Sequence, residues 1–256
     1  RAGGAGAGGI SRLIQEAVIG YEIAPKLWVD GGVYFSHIGL ESFISRDNLT
    51  YTRSLGADNS PYYQTGVRLS YAFSPKVSAQ LHLINGWQTI NELNPQKAIG
   101  TQLNYAPSEA LSLTYNTFLG SEGGSRIFQD LVAKYAVSSA LQFAASFDYG
   151  MQRAASLSSY NKWWVATLVA KYQLNEKVAL VGRAERFSDP NGAIVAAAPA
   201  GFKVWGGSLG VDIALTPALQ WRSEVRTLSA GAELFPARGP VTDSDTFAVT
   251  SLSLTI

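Results

Sequence analysis

The 256-residue sequence contains no cysteine. That excludes a disulfide framework, thiolate chemistry and cysteine-bound zinc. Histidine is almost as scarce, with only His37 and His82. Two distant histidines do not make a metal centre. No Ser/Asp constellation accompanies His82 that would mark a nucleophile and its base. Charged residues are only 15% of the chain, against roughly 25% in ordinary globular domains. The formal net charge of +1 is too small for a nucleic-acid surface. No apolar run approaches the roughly 18 residues of a membrane helix. The Gly123-Gly124 pair and the N-terminal glycines lack the strand, helix and lysine of a phosphate loop. Neither enzyme nor cofactor protein is expected, and no catalytic residue, metal or cofactor is assigned.

What the sequence does have is glycine, tyrosine, tryptophan and phenylalanine in quantity, which suits strands and tight turns. It also has a strict two-residue rhythm. In residues 62–87, Tyr63, Thr65, Val67, Leu69, Tyr71 and Phe73 share one face, opposed by Gln64, Gly66, Arg68, Ser70 and Ala72. After Ser74-Pro75-Lys76 the pattern resumes, with Val77, Ala79, Leu81, Leu83 and Trp87 set against Ser78, Gln80 and His82. Such alternation predicts extended strands with one apolar and one polar face. Each is about ten residues, enough to cross a bilayer core when tilted.

The unit recurs along the chain. Strands are predicted at Leu13–Ile23, Leu27–Phe35, Ile99–Tyr105, Leu111–Leu119, Ile127–Tyr135, Leu141–Tyr149, Trp163–Leu174, Val178–Phe187, Phe202–Leu215, Leu219–Leu228 and Phe247–Ile256. Short turns alternate with longer stretches at 36–60, 88–97, 120–126, 152–161, 188–201 and 229–245. This asymmetry belongs to an up-and-down outer-membrane barrel, with short periplasmic turns and longer extracellular loops. A mean hydropathy near zero agrees, because lumen-facing polar residues offset the apolar exterior. Tyr21, Tyr71, Tyr105, Tyr135 and Tyr172 precede short turns, while Trp87, Tyr149, Trp164 and Trp205 lie near long loops, the two levels of an aromatic girdle.

The expected architecture is therefore all-β: one transmembrane antiparallel barrel domain over 1–256. Thirteen strands are counted, and bacterial single-chain barrels normally have an even number. An upward strand before Arg1, or a short strand within residues 1–10, would give fourteen; one strand fewer would give twelve. Residues 1–10 otherwise read as loop. Since the chain starts at Arg1 without Met or signal peptide, an upstream part is expected to be absent or removed.

The stretch LWVDGGVYFSHIGLES (27–42), with Arg46-Asp47-Asn48, Tyr51-Thr52-Arg53-Ser54 and Asn59-Ser60-Pro61-Tyr62-Tyr63, resembles the OmpL-like β-barrel porins. Agreement continues through Asn85-Gly86-Trp87, Ala98–Gln102, Phe147–Gly150 and Arg183–Pro190. The resemblance implies an outer-membrane barrel that passes small solutes. It supplies neither a substrate nor a catalytic residue.

Loop 36–60 holds His37, Glu41, Arg46, Asp47, Arg53 and Asp58. So long a segment without evident structure is usually functional or disordered. Its apolar Ile38, Leu40, Phe43 and Ile44 need somewhere to pack. It is expected either to fold into the lumen as a constriction or to remain a solvated surface loop. Alternation assigns the lumen. Its cations are Arg68, Lys134, Lys171, Arg183, Arg222 and Arg226. Its anions are Glu16, Glu22, Asp30, Asp130, Asp148, Glu185, Asp212 and Glu224, joined by Gln64, Gln80 and His82. These charges would either set a transverse field or neutralise one another in pairs such as Glu185–Arg222 and Arg183–Glu224. The expectation is a passive porin of the bacterial outer membrane for small hydrophilic solutes or ions, with weak charge selectivity. Its partners would be outer-membrane lipid, lipopolysaccharide and the solutes, with no nucleic acid; homo-oligomerisation is compatible. The alternative is a plugged barrel serving as a membrane anchor or partner in a larger assembly.

Overall fold

The computed structural model describes residues 14–91, 96–154, 158–195, 201–236 and 240–255. Thirteen strands follow one another: β1 (Ala17–Ala24), β2 (Leu27–Phe35), β3 (Tyr63–Ser74), β4 (Val77–Ile84), β5 (Ala98–Ser108), β6 (Leu111–Ser121), β7 (Gly124–Ala136), β8 (Leu141–Ala154), β9 (Asn161–Gln173), β10 (Val178–Asp189), β11 (Phe202–Ala214), β12 (Leu219–Ala230) and β13 (Ser244–Leu254). Each pairs with the next in a single 13-stranded sheet. The pairing is antiparallel throughout, as short turns between sequence neighbours dictate. Among the described residues β1 and β13 pair on one side only, so the barrel is not closed between them. The strand sought within residues 1–10 lies outside the described residues.

The exterior is apolar. Ile19, Leu69, Leu103, Leu131, Leu168, Leu209 and Leu252 are all exposed, and the five turn-side tyrosines lie outward with them. Outward hydroxyls bond each other across strands, Thr101 to Thr117 at 2.7 Å and Thr227 to Thr246 at 3.0 Å, because lipid offers them no partner. The interior is the reverse: Asn116, Asp130, Asp148, Arg183, Glu185 and Arg222 are buried. A Leu103→Arg substitution should therefore cost about 2–4 kcal/mol if Leu103 sits near the bilayer midplane. Urea unfolding from lipid vesicles measures this, and an unchanged midpoint would contradict the outward placement.

Two expectations are corrected. Residues 120–126 are not a long loop: β6 and β7 extend until Ser121 pairs with Ser125. Gly123, at φ +69°, makes the left-handed turn that a side chain would resist. Trp87 does not join the outer girdle. Past the end of β4 it turns inward, its ring 5.0 Å from Phe118 and 4.9 Å from Phe128.

Candidate functional site: the lumen and the loop across it

The segment 36–62 leaves β2 and re-enters β3 through a neck closed by Ser36 N donating to Tyr62 O at 3.1 Å. Inside the neck it is structured by its own side chains. Asn48 brackets Ser42, accepting from its N–H at 2.7 Å and donating to its carbonyl at 2.9 Å. A 3-10 turn at Ser45–Asp47 precedes the short helix α1 (Leu55–Asp58). Ser54 caps α1, its hydroxyl accepting from Ala57 N at 3.1 Å. Glu41 receives both the N–H (2.8 Å) and the hydroxyl (2.6 Å) of Ser54. Arg53 donates to Phe43 O and lies 5.6 Å from the Phe43 ring and 5.0 Å from that of Tyr62. Asp58 accepts from the Tyr62 hydroxyl at 2.9 Å.

The loop's apolar residues find cover inside the barrel. Leu40 and Leu49 pack on Ala144, Val169 and Val181, while Ile38 and Leu55 join an interior cluster of aromatic residues. Its backbone is bonded to walls on opposite sides. On one side His37 Nε2 donates to Thr117 O at 3.0 Å, Gln102 Nε2 to His37 O at 3.0 Å, and Gly39 N to Asp130 Oδ2 at 2.7 Å. On the other, Leu55 N donates to Glu185 Oε2 at 2.6 Å and Thr52 N to Glu224 Oε2 at 2.7 Å. Arg222 reaches the carbonyls of Ser45, Asn48 and Leu49 at 3.0, 3.0 and 2.6 Å. The loop thus spans the lumen from β5–β7 to β10–β12.

The wall charges are largely engaged. Arg183 lies 3.2 Å from Glu224, 3.4 Å from Glu185 and 3.7 Å from Glu41, and also donates to Thr50 and Thr52. Glu185 does not meet Arg222 as the strand faces suggested. It meets Arg226 at 2.7 Å, while Arg222 pairs with Asp212 at 2.9 Å. The register explains this: β11 sets Asp212 directly opposite Arg222 on β12. Lys171 binds Asp212 at 2.7 Å, and Arg68 binds Asp30 at 2.8 Å.

Other candidates are placed differently. Glu16 and Glu22 are exposed, and Glu22 caps its turn by accepting from Lys26 N at 2.9 Å. Gln64 and His82 are fully buried. Gln64 bonds His37 Nδ1 at 2.7 Å, and Gln80 lies 3.1 Å from His82 Nε2. The rings of His37 and His82 stack at 4.1 Å. Burial holds His37 below the usual imidazole range, outweighing its bonds to Thr117 and Gln64. Burial raises Glu41, with the Ser54 bonds and Arg183 opposing. Asp58 is raised by burial against its bond from Tyr62. Asp148 is buried opposite Asp130 across β7–β8. Arg46 and Asp47 are exposed, as is Lys134.

Two interior features went unforeseen. A row of uncharged polar side chains lines β5 and β6. Thr114 donates to Asn104 at 2.6 Å, Asn104 to Gln102 at 2.8 Å, and Gln102 to Asn116 at 2.9 Å. Its signal was present in the lumen-facing parity of those residues. An apolar layer also fills the outer lumen, from Ile84 and Phe118 through Phe128, Trp163 and Phe187 to Leu228. Gly150 is needed there, since a Cβ would fall 2.0 Å from Trp163 Cζ2. Asp189 folds the following segment onto this layer by accepting from the N–H groups of Ala193, Ile194 and Val195 at 2.7, 2.9 and 2.9 Å.

Among the described residues two cavities adjoin the loop, of about 430 and 340 Å³, and they share Leu40, Glu41, Ser42, Ser112 and Lys134. The lining of the smaller runs from Phe35, Pro61 and Tyr62, at the outer ends of β2 and β3, to Ser112 and Lys134, near the short turns. The larger opens beneath the loop toward Asp47, Glu109 and Gln142.

An antiparallel meander with an apolar exterior, a charged interior and a loop laid across its lumen defines a transmembrane β-barrel of the channel-forming class. The chain belongs to the family described as Putative beta-barrel porin-2, OmpL-like, which matches residues 3–255. It is an outer-membrane diffusion channel, and its family and fold are those of a channel rather than of an enzyme. Among solved structures it is similar to OmpF of Salmonella typhi in complex with daunomycin, with TM-score 0.67 and 15% identity over 93% of this chain and 77% of that one. It is also similar to an anion-selective porin from Comamonas acidovorans, with TM-score 0.64 and 10% identity over 90% of this chain and 74% of that one. OmpT of Vibrio cholerae matches with TM-score 0.59 and 8% identity over 91% and 86%. A search of curated proteins finds no match.

Proposed function

We propose that the protein passes small hydrophilic solutes along an eccentric bore between loop 36–62 and the β5–β9 wall, the loop acting as the constriction. The observation that carries this reading is the pair of adjoining cavities on that side of the loop. On the opposite side, the ion pairs of Arg183, Glu185, Arg222, Glu224 and Arg226 hold the loop in place. Paired charges exert little net field on a passing ion, so charge selectivity is weak. The reversal potential across a planar bilayer in a salt gradient should stay near zero, and a strongly selective value would overturn this reading. The apolar layer over the outer lumen supports a second one, a plugged barrel acting as a membrane anchor. Purified protein that conducts no ions and passes no sugar would favour it.

A further inference from the structure

Deepening the diffusion reading, and resting on it, we infer that the bore is built for uncharged, hydroxyl-rich solutes: polyols and small sugars. The argument begins with what the free space offers. Arg183, Glu185, Arg222 and Glu224 are saturated by each other, by Asp212 or by the loop backbone, and so are closed to a passing solute.

The cavity beside the loop is instead lined by Gln102, Asn104, Ser112 and Thr114. These side chains are half-buried, and Gln102, Asn104 and Thr114 are linked in a line that continues to Asn116, which donates to Asp130 at 2.7 Å. Along that line donors and acceptors alternate. Gln102 Nε2 spends both hydrogens on His37 O and Asn116, but its Oε1, the Asn104 amide and the Thr114 oxygen each keep a site for an exchanging partner. A hydroxyl both donates and accepts, and can therefore replace water at successive positions. A carboxylate only accepts and an ammonium only donates. Either would lose part of its hydration against this line, whose own members carry no charge to compensate. Lys134 stands at the inner end of the cavity rather than along the line. The loop side of the same space carries Ile38, Leu40 and Phe43, and Val132 stands beside Thr114 on the wall, apolar surface suited to the C–H face of a sugar ring or polyol chain.

The test is proteoliposome swelling with solutes of matched size: sorbitol (neutral), gluconate (anionic) and glucosamine (cationic). Planar-bilayer KCl conductance is measured on the same preparations. The wild type should pass sorbitol faster than either charged solute. Asn104→Leu combined with Thr114→Val removes the Thr114 end of the line without touching the loop. It should lower the neutral-to-charged permeation ratio about threefold to tenfold, the worth of one or two hydrogen bonds. Thr114→Ser, which keeps the hydroxyl, should retain the ratio. Retained heat-modifiable migration on gels verifies that each variant forms its barrel. Charged solutes entering as fast as sorbitol, or a double variant with an unchanged ratio, would overturn the inference while the KCl conductance leaves the channel intact. Absence of both conductance and swelling in the wild type would overturn the diffusion reading, and this inference with it.

Discussion

Replacing residues 43–57 by a short Gly-Ser linker is expected to raise single-channel conductance about threefold or more, because a barrel of this strand number is otherwise wide enough to hold an aqueous channel. The excised residues include every loop group hydrogen-bonded to the β10–β12 wall, Ser45, Asn48, Leu49, Thr50, Thr52 and Leu55, and leave only the Glu41–Arg183 ion pair. The neck made by Ser36 and Tyr62 survives, as do the bonds of His37 and Gly39 to the near wall. What opens is the far half of the lumen, where Arg183, Glu185, Arg222 and Glu224 would exchange loop contacts for water. They remain paired on the wall, so the gain should come with little change in reversal potential. Single-channel recording checks both quantities. Unchanged conductance would show that the loop does not set the bore.

The second large effect concerns Arg183. Its side chain is fully buried between Glu41, Glu185 and Glu224, and it also donates to the Thr52 carbonyl at 2.6 Å. Arg183→Ala leaves those carboxylates without their central cation, and breaking a buried ion pair by removing one partner costs about 3–5 kcal/mol. Part of that cost is relieved by releasing the loop into water. The expected signature is tryptic cleavage after Arg46 or Arg53 in folded protein, with noisy, larger conductance steps. Adding Glu224→Gln should restore protection in part, since it removes one stranded charge while keeping an acceptor for Thr52. A single variant as protease-resistant and quiet as the wild type would show that the cluster does not hold the loop.

The strands were legible from the chain because their signal is local. Leu27–Phe35 was bounded correctly, and most other strands to within a few residues, since alternating side chains need only their neighbours to define a face. Where reading failed, a non-local partner or a special backbone had intervened. Gly123 tightened a presumed loop into a turn. Trp87 followed the rhythm of β4 on paper, yet it lies past the last paired residue, where packing on Phe118 and Phe128 outweighs parity. Phe118, Phe128, Trp163 and Phe187 sat on the lumen-facing parity in plain view. Only their convergence from separate strands shows an apolar layer.

The sequence by itself determined that this is a membrane-spanning antiparallel sheet, and on which parity of each strand its apolar and polar residues fall. The tertiary structure decided how those charges are used. Thr52 meets Glu224 across 172 positions, and Arg222 meets the Ser45 carbonyl across 177. Period-2 alternation fixes a face but not a partner. Inside a lumen holding many buried donors and acceptors, the path of the loop follows the set of bonds that leaves the fewest unpaired. That set exists only once the strands have brought their walls together.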